Sequence, residues 1–176
     1  MEDPFRNQTW EDVLDRLKRG QVPPDQIGRA IVRVGKPFDQ AKILAAKDTV
    51  ALYLNHSDSW VRHEAMWFLT SWGRLKEYQP ALIHALLTDD DLDSRCYAAT
   101  CLGRLCEGTN AGEVVAALKT TVENNDIDDL VRLCAYGALL QVVKGTSDLG
   151  FWPHEHKLSD VDWKWLSSLQ VPDQLA

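Results

Sequence analysis

The residue types that could carry chemistry lie in two short stretches of the chain. His63 and Glu64 are adjacent within V-R-H-E-A, and His154 and His156 flank Glu155 near the C-terminal end. Imidazole and carboxylate groups bind divalent metals, but a site needs several of them converging on one point. Histidines two positions apart also need a strand or loop and further ligands. We therefore predict no metal site, and a structural or solvent role for the two C-terminal histidines.

The cysteines do not form a metal-binding pattern either. No pair has the CxxC spacing, and no histidine lies near them at zinc-ligand spacing. Cys96, Cys101 and Cys106 are five residues apart, a step that rotates about 140° around a helix, so they cannot share one face. Cys101 falls on the apolar register and is predicted to be a small core residue. Together with Cys134 these thiols indicate a reducing compartment, which predicts a cytoplasmic protein.

No other catalytic motif is present in the sequence. A Gly-rich phosphate loop, a nucleophile elbow and the H-E-x-x-H motif are all missing, and the serines and histidines are scattered. We therefore predict that the protein is not an enzyme and needs no cofactor. The polar, acidic residues 1–10 do not resemble a signal peptide, and no apolar run approaches membrane-spanning length, so we expect no membrane association.

The charge balance narrows the class of partner. The 176 residues carry a formal net charge of −7. Binding to a nucleic-acid backbone needs a concentrated Lys/Arg surface, so nucleic acid is not the expected main partner. Long-range attraction would instead draw in a basic protein, such as a toxin or an enzyme.

The His63-Glu64 pair lies inside a frame that recurs along the chain. The frame is Asp, then Arg four residues later, then Ala after three more, then Leu after four more. It occupies residues 58–69, 91–102 and 128–139, with offsets of 33 and 37 residues between copies. Similarity at such a period predicts stacked helical hairpins.

Each position of the frame has a structural explanation. The Asp can accept backbone N–H groups at the start of a helix. The Ala lets helices approach closely, and the Leu fills the space beneath it. We expect the Arg to pair with its own Asp and with the Asp of the adjacent repeat, forming a ladder across the stack. The frame residues are therefore predicted to be scaffold; they are Asp58, Arg62, Ala65, Leu69, Asp91, Arg95, Ala98, Leu102, Asp128, Arg132, Ala135 and Leu139.

Helix, acidic turn and D-x-x-[VS]-R-x-x-A-x-x-x-L together resemble the HEAT-repeat family, especially its short bacterial, phycobilisome-lyase-like form. The resemblance covers residues 40–145, although Ser94 stands where the family usually has Val and only the second repeat has a Gly, Gly103, after the Leu. It implies an all-α fold, a right-handed α-solenoid of three to four hairpins whose second helices line a concave binding face. We predict one domain over 1–176. Its parts are a degenerate repeat at 9–34, repeats at 39–73, 80–106 and 111–145, and a C-terminal cap at 146–176 with a helix near 159–169.

The resemblance leaves two enzyme classes to consider. HEAT-repeat di-iron hydroxylases need His-Glu pairs from successive repeats, but the positions equivalent to His63-Glu64 are Cys96-Tyr97 and Leu133-Cys134. HEAT-like glycosylases that excise alkylated bases need a cationic groove, aromatic residues and an acid. The aromatic residues and a carboxylate are available here, whereas the cationic stripe is thin. A glycosylase, or a lyase- or chaperone-like subunit, remains the alternative.

The favoured hypothesis is a non-enzymatic module that binds a protein partner. The second helices, at 58–74, 91–107 and 128–144, would form the groove. Trp and Tyr dominate interface hot spots, and the sequence has seven tryptophans. Trp10, Trp72 and Trp165 are predicted to pack internally, while the C-terminal tail could be a cap or a binding element. With a toxin as partner, the protein would be an immunity protein. The predicted binding residues are Trp60, His63, Glu64, Trp67, Arg74, Asp93, Tyr97 and Arg104.

Overall fold

The computed structural model describes residues 4–36, 38–145 and 153–170, and every regular element within these ranges is helical. The predicted all-α class is confirmed. Across the described ranges, no helix combines the length and the apolar character needed to cross a membrane. Residues 146–152 and 171–176 of the predicted C-terminal cap lie outside the described residues. The chain divides into two compact units, Met1–Leu75 and Lys76–Ala176.

The first unit contains four α-helices. A reciprocal capping box begins the first of them: Asp12 N–H donates to Thr9 Oγ1 and Thr9 N–H to Asp12 Oδ2, both at 3.1 Å. A 3₁₀ turn at Pro24–Gln26 leads into the second helix, and a π-helical turn at Phe68–Trp72 continues the fourth. The helices are α1 (Trp10–Lys18), α2 (Ile27–Gly35), α3 (Gln40–Ala51) and α4 (Ser59–Trp67).

Most of the predicted apolar stripes of the first unit are buried. Val13, Leu14 and Leu17 of α1 pack in the core, as the i, i+1, i+4 spacing predicts. The apolar periodicity of residues 39–55 predicts that Leu44 faces the core, and this prediction is wrong, because its side chain is 47% exposed. The helix buries the stripe centred on Ile43, and Leu44 lies about 100° around the helix from that residue.

The second unit contains two helical hairpins packed side by side. The first helices of the hairpins pack against each other, and so do the second helices. The helix predicted near 159–169 is present and shorter. The helices are α5 (Gln79–Thr88), α6 (Leu92–Leu105), α7 (Gly112–Glu123), α8 (Asp129–Lys144) and α9 (Trp163–Ser168).

The segment that contains α9 packs on the second hairpin. Asp162 N–H donates to the Tyr136 hydroxyl of α8 at 3.1 Å, and Lys119 Nζ of α7 donates to the Leu169 carbonyl at 3.0 Å. Leu166 of α9 is buried. The described part of the tail therefore packs on α7 and α8.

The frame residues form the scaffold, as predicted. The Ala and Leu of all three copies have no exposed surface. Each Asp is an N-cap whose side chain accepts a backbone N–H at the start of its helix. The three bonds are Asp58 with Trp60 N at 2.9 Å, Asp91 with Ser94 N at 2.7 Å, and Asp128 with Leu130 N at 2.8 Å.

The arginines of the frame bond to the main chain, which the sequence did not predict. In the second and third copies the guanidinium donates to a carbonyl in the last turn of the preceding helix, and in the first copy it donates to carbonyls of the turn directly before α4. Arg132 also pairs with Asp129, three residues earlier on α8, at 3.5 Å. The last carbonyls of a helix have no intrahelical partner, which makes them strong acceptors. The bonds are Arg62 to His56 O (2.8 Å) and Ser57 O (3.2 Å), Arg95 to Leu86 O (2.8 Å), and Arg132 to Val122 O (2.9 Å).

Replacing Arg132 by Met should lower the free energy of unfolding by about 2–3 kcal/mol, because the buried Val122 carbonyl and the Asn125 side chain lose their donor. Urea denaturation measures the change. Arg19→Met is the matched control, because Arg19 is exposed and pairs with the exposed Asp15, at 3.1 Å. We expect a change below about 0.5 kcal/mol there. Equal losses in the two variants would contradict the role given to Arg132.

Candidate functional site

Three of the predicted binding residues share one accessible face of α6. Asp93, Tyr97 and Arg104, together with Thr100, fall at i, i+4, i+7 and i+11, which places them on one side of a helix. Asp93, Thr100 and Arg104 are exposed, and Tyr97 is half-buried. We call these four residues the α6 face. Leu92 borders it and is 46% exposed, so an apolar side chain lies beside the polar ones.

The α6 face begins at the acidic end of the second unit. The carboxylates lie in the turns before α6 and α8 and in the first turns of these helices, and the charges of Asp93 and Asp128 both raise the pKa of the Cys96 thiol. The frame arginines of these helices donate to main-chain carbonyls, and the buried Arg132 also pairs with one of the aspartates, Asp129, at 3.5 Å. This end of the unit therefore favours a cationic partner. Its aspartates are Asp89, Asp90, Asp91, Asp93, Asp126, Asp128 and Asp129.

The helices α6 and α8 approach each other closely at a glycine. A Cβ atom at Gly103 would lie 3.1 Å from Ala138 Cα and 2.7 Å from Gln141 Oε1. Farther along, Gly108 N–H donates to the Gln141 carbonyl at 3.1 Å. Both helices therefore run in the same direction, with their main chains nearly in contact.

Sequence reasoning missed one pair of residues on these helices, the thiols of Cys96 and Cys134. A hydrogen bond from the Cys96 thiol to Cys134 raises the pKa of Cys96 and lowers the pKa of Cys134. The available signal was the offset of 37 residues between the second and third frames, which places Cys134 one position beyond the equivalent of Cys96.

The remaining predicted binding residues belong to the first unit. Trp60 is 41% exposed, yet its ring lies over Gly28 of α2, where a Cβ atom would come within 2.5 Å of it. Its side chain is also hydrogen-bonded to Glu64, one turn later on α4. These two residues therefore have a structural role as well as partial exposure. Of the others, His63 and Trp67 are half-buried and Arg74 is exposed.

The carboxyl group of Glu64 is in an unusual environment. Partial burial raises its pKa above the ordinary value, and the hydrogen bond with Trp60 partly opposes this effect. A carboxyl group whose pKa is raised by burial is the type of group that acid–base catalysis uses. The same arrangement also has a purely structural explanation, because the hydrogen bond joins Trp60 and Glu64 one turn apart on the same helix.

The tryptophans predicted to pack internally do so. Trp10 Nε1 donates to the Val34 carbonyl at 2.7 Å. The other two make edge-on contacts with aromatic rings. Trp72 contacts Phe38 at 5.6 Å and Phe68 at 6.1 Å between ring centroids, and Trp165 contacts Tyr136 at 5.9 Å.

No protein-family model, curated protein or solved structure matches this chain. The resemblance to HEAT repeats, and the solenoid that it implies, stay predictions. Within the described ranges, no group of three or more His, Cys, Asp or Glu side chains is arranged to hold a metal ion. His154 is exposed and His156 is half-buried.

The environment of Glu64 predicts a pH-dependent stability. Because its pKa is raised in the folded state, the folded chain holds a proton that the unfolded chain has released between the two pKa values. The stability contributed at this position is therefore full at low pH and falls as the pH rises through that window. The midpoint of thermal unfolding of Glu64→Gln, relative to the unsubstituted protein, should rise as the pH increases above the ordinary pKa of a glutamate carboxyl, about 4.3. Glu113→Gln, which removes an exposed carboxylate, is the control, and an identical pH profile in both variants would contradict this interpretation.

Proposed function

We propose that the protein is a HEAT-like α-solenoid that binds a basic segment of another protein and catalyses no reaction. The observation that carries this proposal is the α6 face, where the half-buried Tyr97 lies between the exposed Asp93 and Arg104 at the acidic end of the second unit. The bordering Leu92, 46% exposed, adds apolar area. Such a mixture of an aromatic anchor, apolar surface and flanking charge is typical of protein interfaces.

Charge complementarity identifies the class of partner. The aspartates of the turns before α6 and α8 create a negative potential that attracts a cationic segment and orients it before contact. The aromatic ring and Leu92 favour a segment that also presents apolar side chains. A lysine- or arginine-rich amphipathic helix has both properties, and it can lay its apolar stripe on Tyr97 while its cations approach Asp93.

The first unit supplies a second candidate surface for the same function. Trp60, Trp67 and Arg74 are at least partly accessible on or after α4. This surface supports the proposal less strongly, because the Trp60 ring is packed over Gly28 and its side chain is bonded to Glu64. The α6 face is therefore the first target for experiments.

A synthetic amphipathic helical peptide of Lys and Leu is a suitable probe of the α6 face. Asp93→Asn should weaken its binding roughly three- to tenfold at low salt, because a charge at the rim is lost. Glu113→Gln makes the same charge change in the first turn of α7 and should leave binding unchanged. Tyr97→Ala should weaken binding by roughly thirtyfold, the effect of losing a hot-spot aromatic residue. Fluorescence anisotropy titrations measure all three.

Two outcomes of these titrations would contradict the proposal. Equal losses of peptide affinity for Asp93→Asn and Glu113→Gln would mean that binding depends on the net charge of the protein and not on the α6 face. Retention of duplex DNA at low salt, without retention of the peptide, would favour the alternative enzyme acting on DNA bases.

The natural partner can be sought with a photo-crosslinking amino acid at Thr100, on the α6 face, and at Thr120, on the exposed side of α7, as a control. We expect a basic protein to be crosslinked in cells from position 100 and not from position 120. If that protein is a toxin, the chain acts as an immunity protein. Equal crosslinking from both positions, or an acidic partner, would contradict the assignment of the α6 face.

A further inference from the structure

The second unit contains a pair of thiols that peptide binding does not use. Cys96 of α6 is half-buried and Cys134 of α8 is 8% exposed, and all four cysteines are free. The other two differ from this pair in their surroundings. Cys101 has no exposed surface, and the Cys106 thiol donates to Gln79 Oε1 at 3.4 Å.

The packing of α6 against α8 places the two thiols at the same level. A Cβ atom at Gly103 would lie 3.1 Å from Ala138 Cα, so these two residues face each other across the helix pair. Cys96 lies seven residues before Gly103 on α6, and Cys134 lies four residues before Ala138 on α8, steps that return a side chain to within about 20° and 40° of the same direction. A Cβ atom at Gly108 would lie 3.3 Å from Gly145 Cα, an offset of 37 residues that also places Cys134 within one residue of the level of Cys96. Cys96 and Cys134 therefore lie on the facing sides of the two helices at nearly the same level.

A hydrogen bond between the two thiols agrees with this register. The Cys96 thiol is hydrogen-bonded to Cys134, and this bond favours the thiolate of Cys134 by lowering its pKa, against burial and the charge of Asp93. The thiolate is the reactive form of cysteine. The pair thus has one sulfur suited to attack an oxidant and a second sulfur beside it to resolve the product.

We propose that Cys96 and Cys134 are a redox site that forms a reversible disulfide bond between α6 and α8 on reaction with hydrogen peroxide. The Cys134 thiolate attacks one peroxide oxygen, the O–O bond breaks, and the departing hydroxide takes up a proton to become water. Cys96 then attacks the resulting sulfenic acid, an S–S bond forms, the S–O bond breaks, and a second water leaves with the Cys96 proton. Two thiols are oxidised and one peroxide is reduced to two waters. A dithiol reverses the bond by exchange.

The disulfide would act at the border of the α6 face. Cys96 directly precedes Tyr97, and Asp93 lies one turn earlier. A covalent bond at this level fixes the N-terminal half of α6 against α8 and closes the chain between residues 96 and 134. Closing a loop restricts the unfolded chain, so the oxidised form should unfold at a higher temperature.

Intact-mass measurement of the full chain, reduced and then treated with an equimolar amount of hydrogen peroxide, tests the proposal. We expect the loss of two hydrogen atoms, and a peptide map without reductant that joins the segments containing Cys96 and Cys134. Cys96→Ser should instead leave a sulfenic acid on Cys134, detected as a dimedone adduct. Cys106→Ser is the control and should form the disulfide as the unsubstituted protein does. A disulfide that involves Cys101 or Cys106, a bond only between chains, or oxidation without any disulfide would overturn the proposal.

Thermal unfolding gives a second readout that needs no partner. The oxidised protein should unfold several degrees above the reduced one, dithiothreitol should reverse the difference, and Cys96→Ser should show none. An unchanged midpoint in protein whose mass shows complete oxidation would mean that α6 and α8 are not tied together. Both readouts concern the thiols alone, so their failure is distinguishable from a failure of peptide binding.

Discussion

The arrangement of the second unit depends on guanidinium groups that bind the end of the preceding helix. In each hairpin the last carbonyls of the first helix need donors, and a frame arginine on the second helix provides them. A buried guanidinium without such partners would be costly, so Arg132 and the Val122 carbonyl depend on each other. This bond holds the two helices of a hairpin at a defined register. The fully buried Ala135 and Leu139 one and two turns later can then pack against neighbouring helices.

This use of the arginines also shapes the surface. Arg95 and Arg132 direct donors to the main chain, and Arg132 also pairs with Asp129 at 3.5 Å. The other aspartates around them therefore dominate the potential at the start of α6 and α8. The same aspartates stabilise the positive ends of these helices. The scaffold and the proposed binding surface therefore share residues, and an acidic end is a direct consequence of how the hairpins are closed. Specificity must come from residues outside the frame, such as Tyr97.

Local signals predicted much of the structure. N-caps such as Asp58 could be predicted because they form hydrogen bonds with residues close by in the sequence. The buried Ala and Leu positions could be predicted because they follow the helical periodicity. The carbonyl partners of Arg95 could not be predicted, because they depend on how one helix meets another. The same holds for the ring of Trp60 over Gly28 and for the thiol pair. Helical spacing was enough to predict which residues share the α6 face. The surroundings of Trp60 and Trp67 on α4 could not be predicted in this way, because they depend on which helices pack against α4.

The charge of Asp93 links the two proposals. It attracts a cationic segment to the α6 face, and it also raises the pKa of Cys134, which opposes formation of the reactive thiolate. A cation bound beside Asp93 would offset that charge and so favour the thiolate. By thermodynamic reciprocity, the thiolate would in turn favour the bound cation. Disulfide formation removes this thiolate, so oxidation would weaken the electrostatic attraction while leaving Tyr97 in place. Binding and thiol reactivity are therefore expected to depend on each other through one carboxylate.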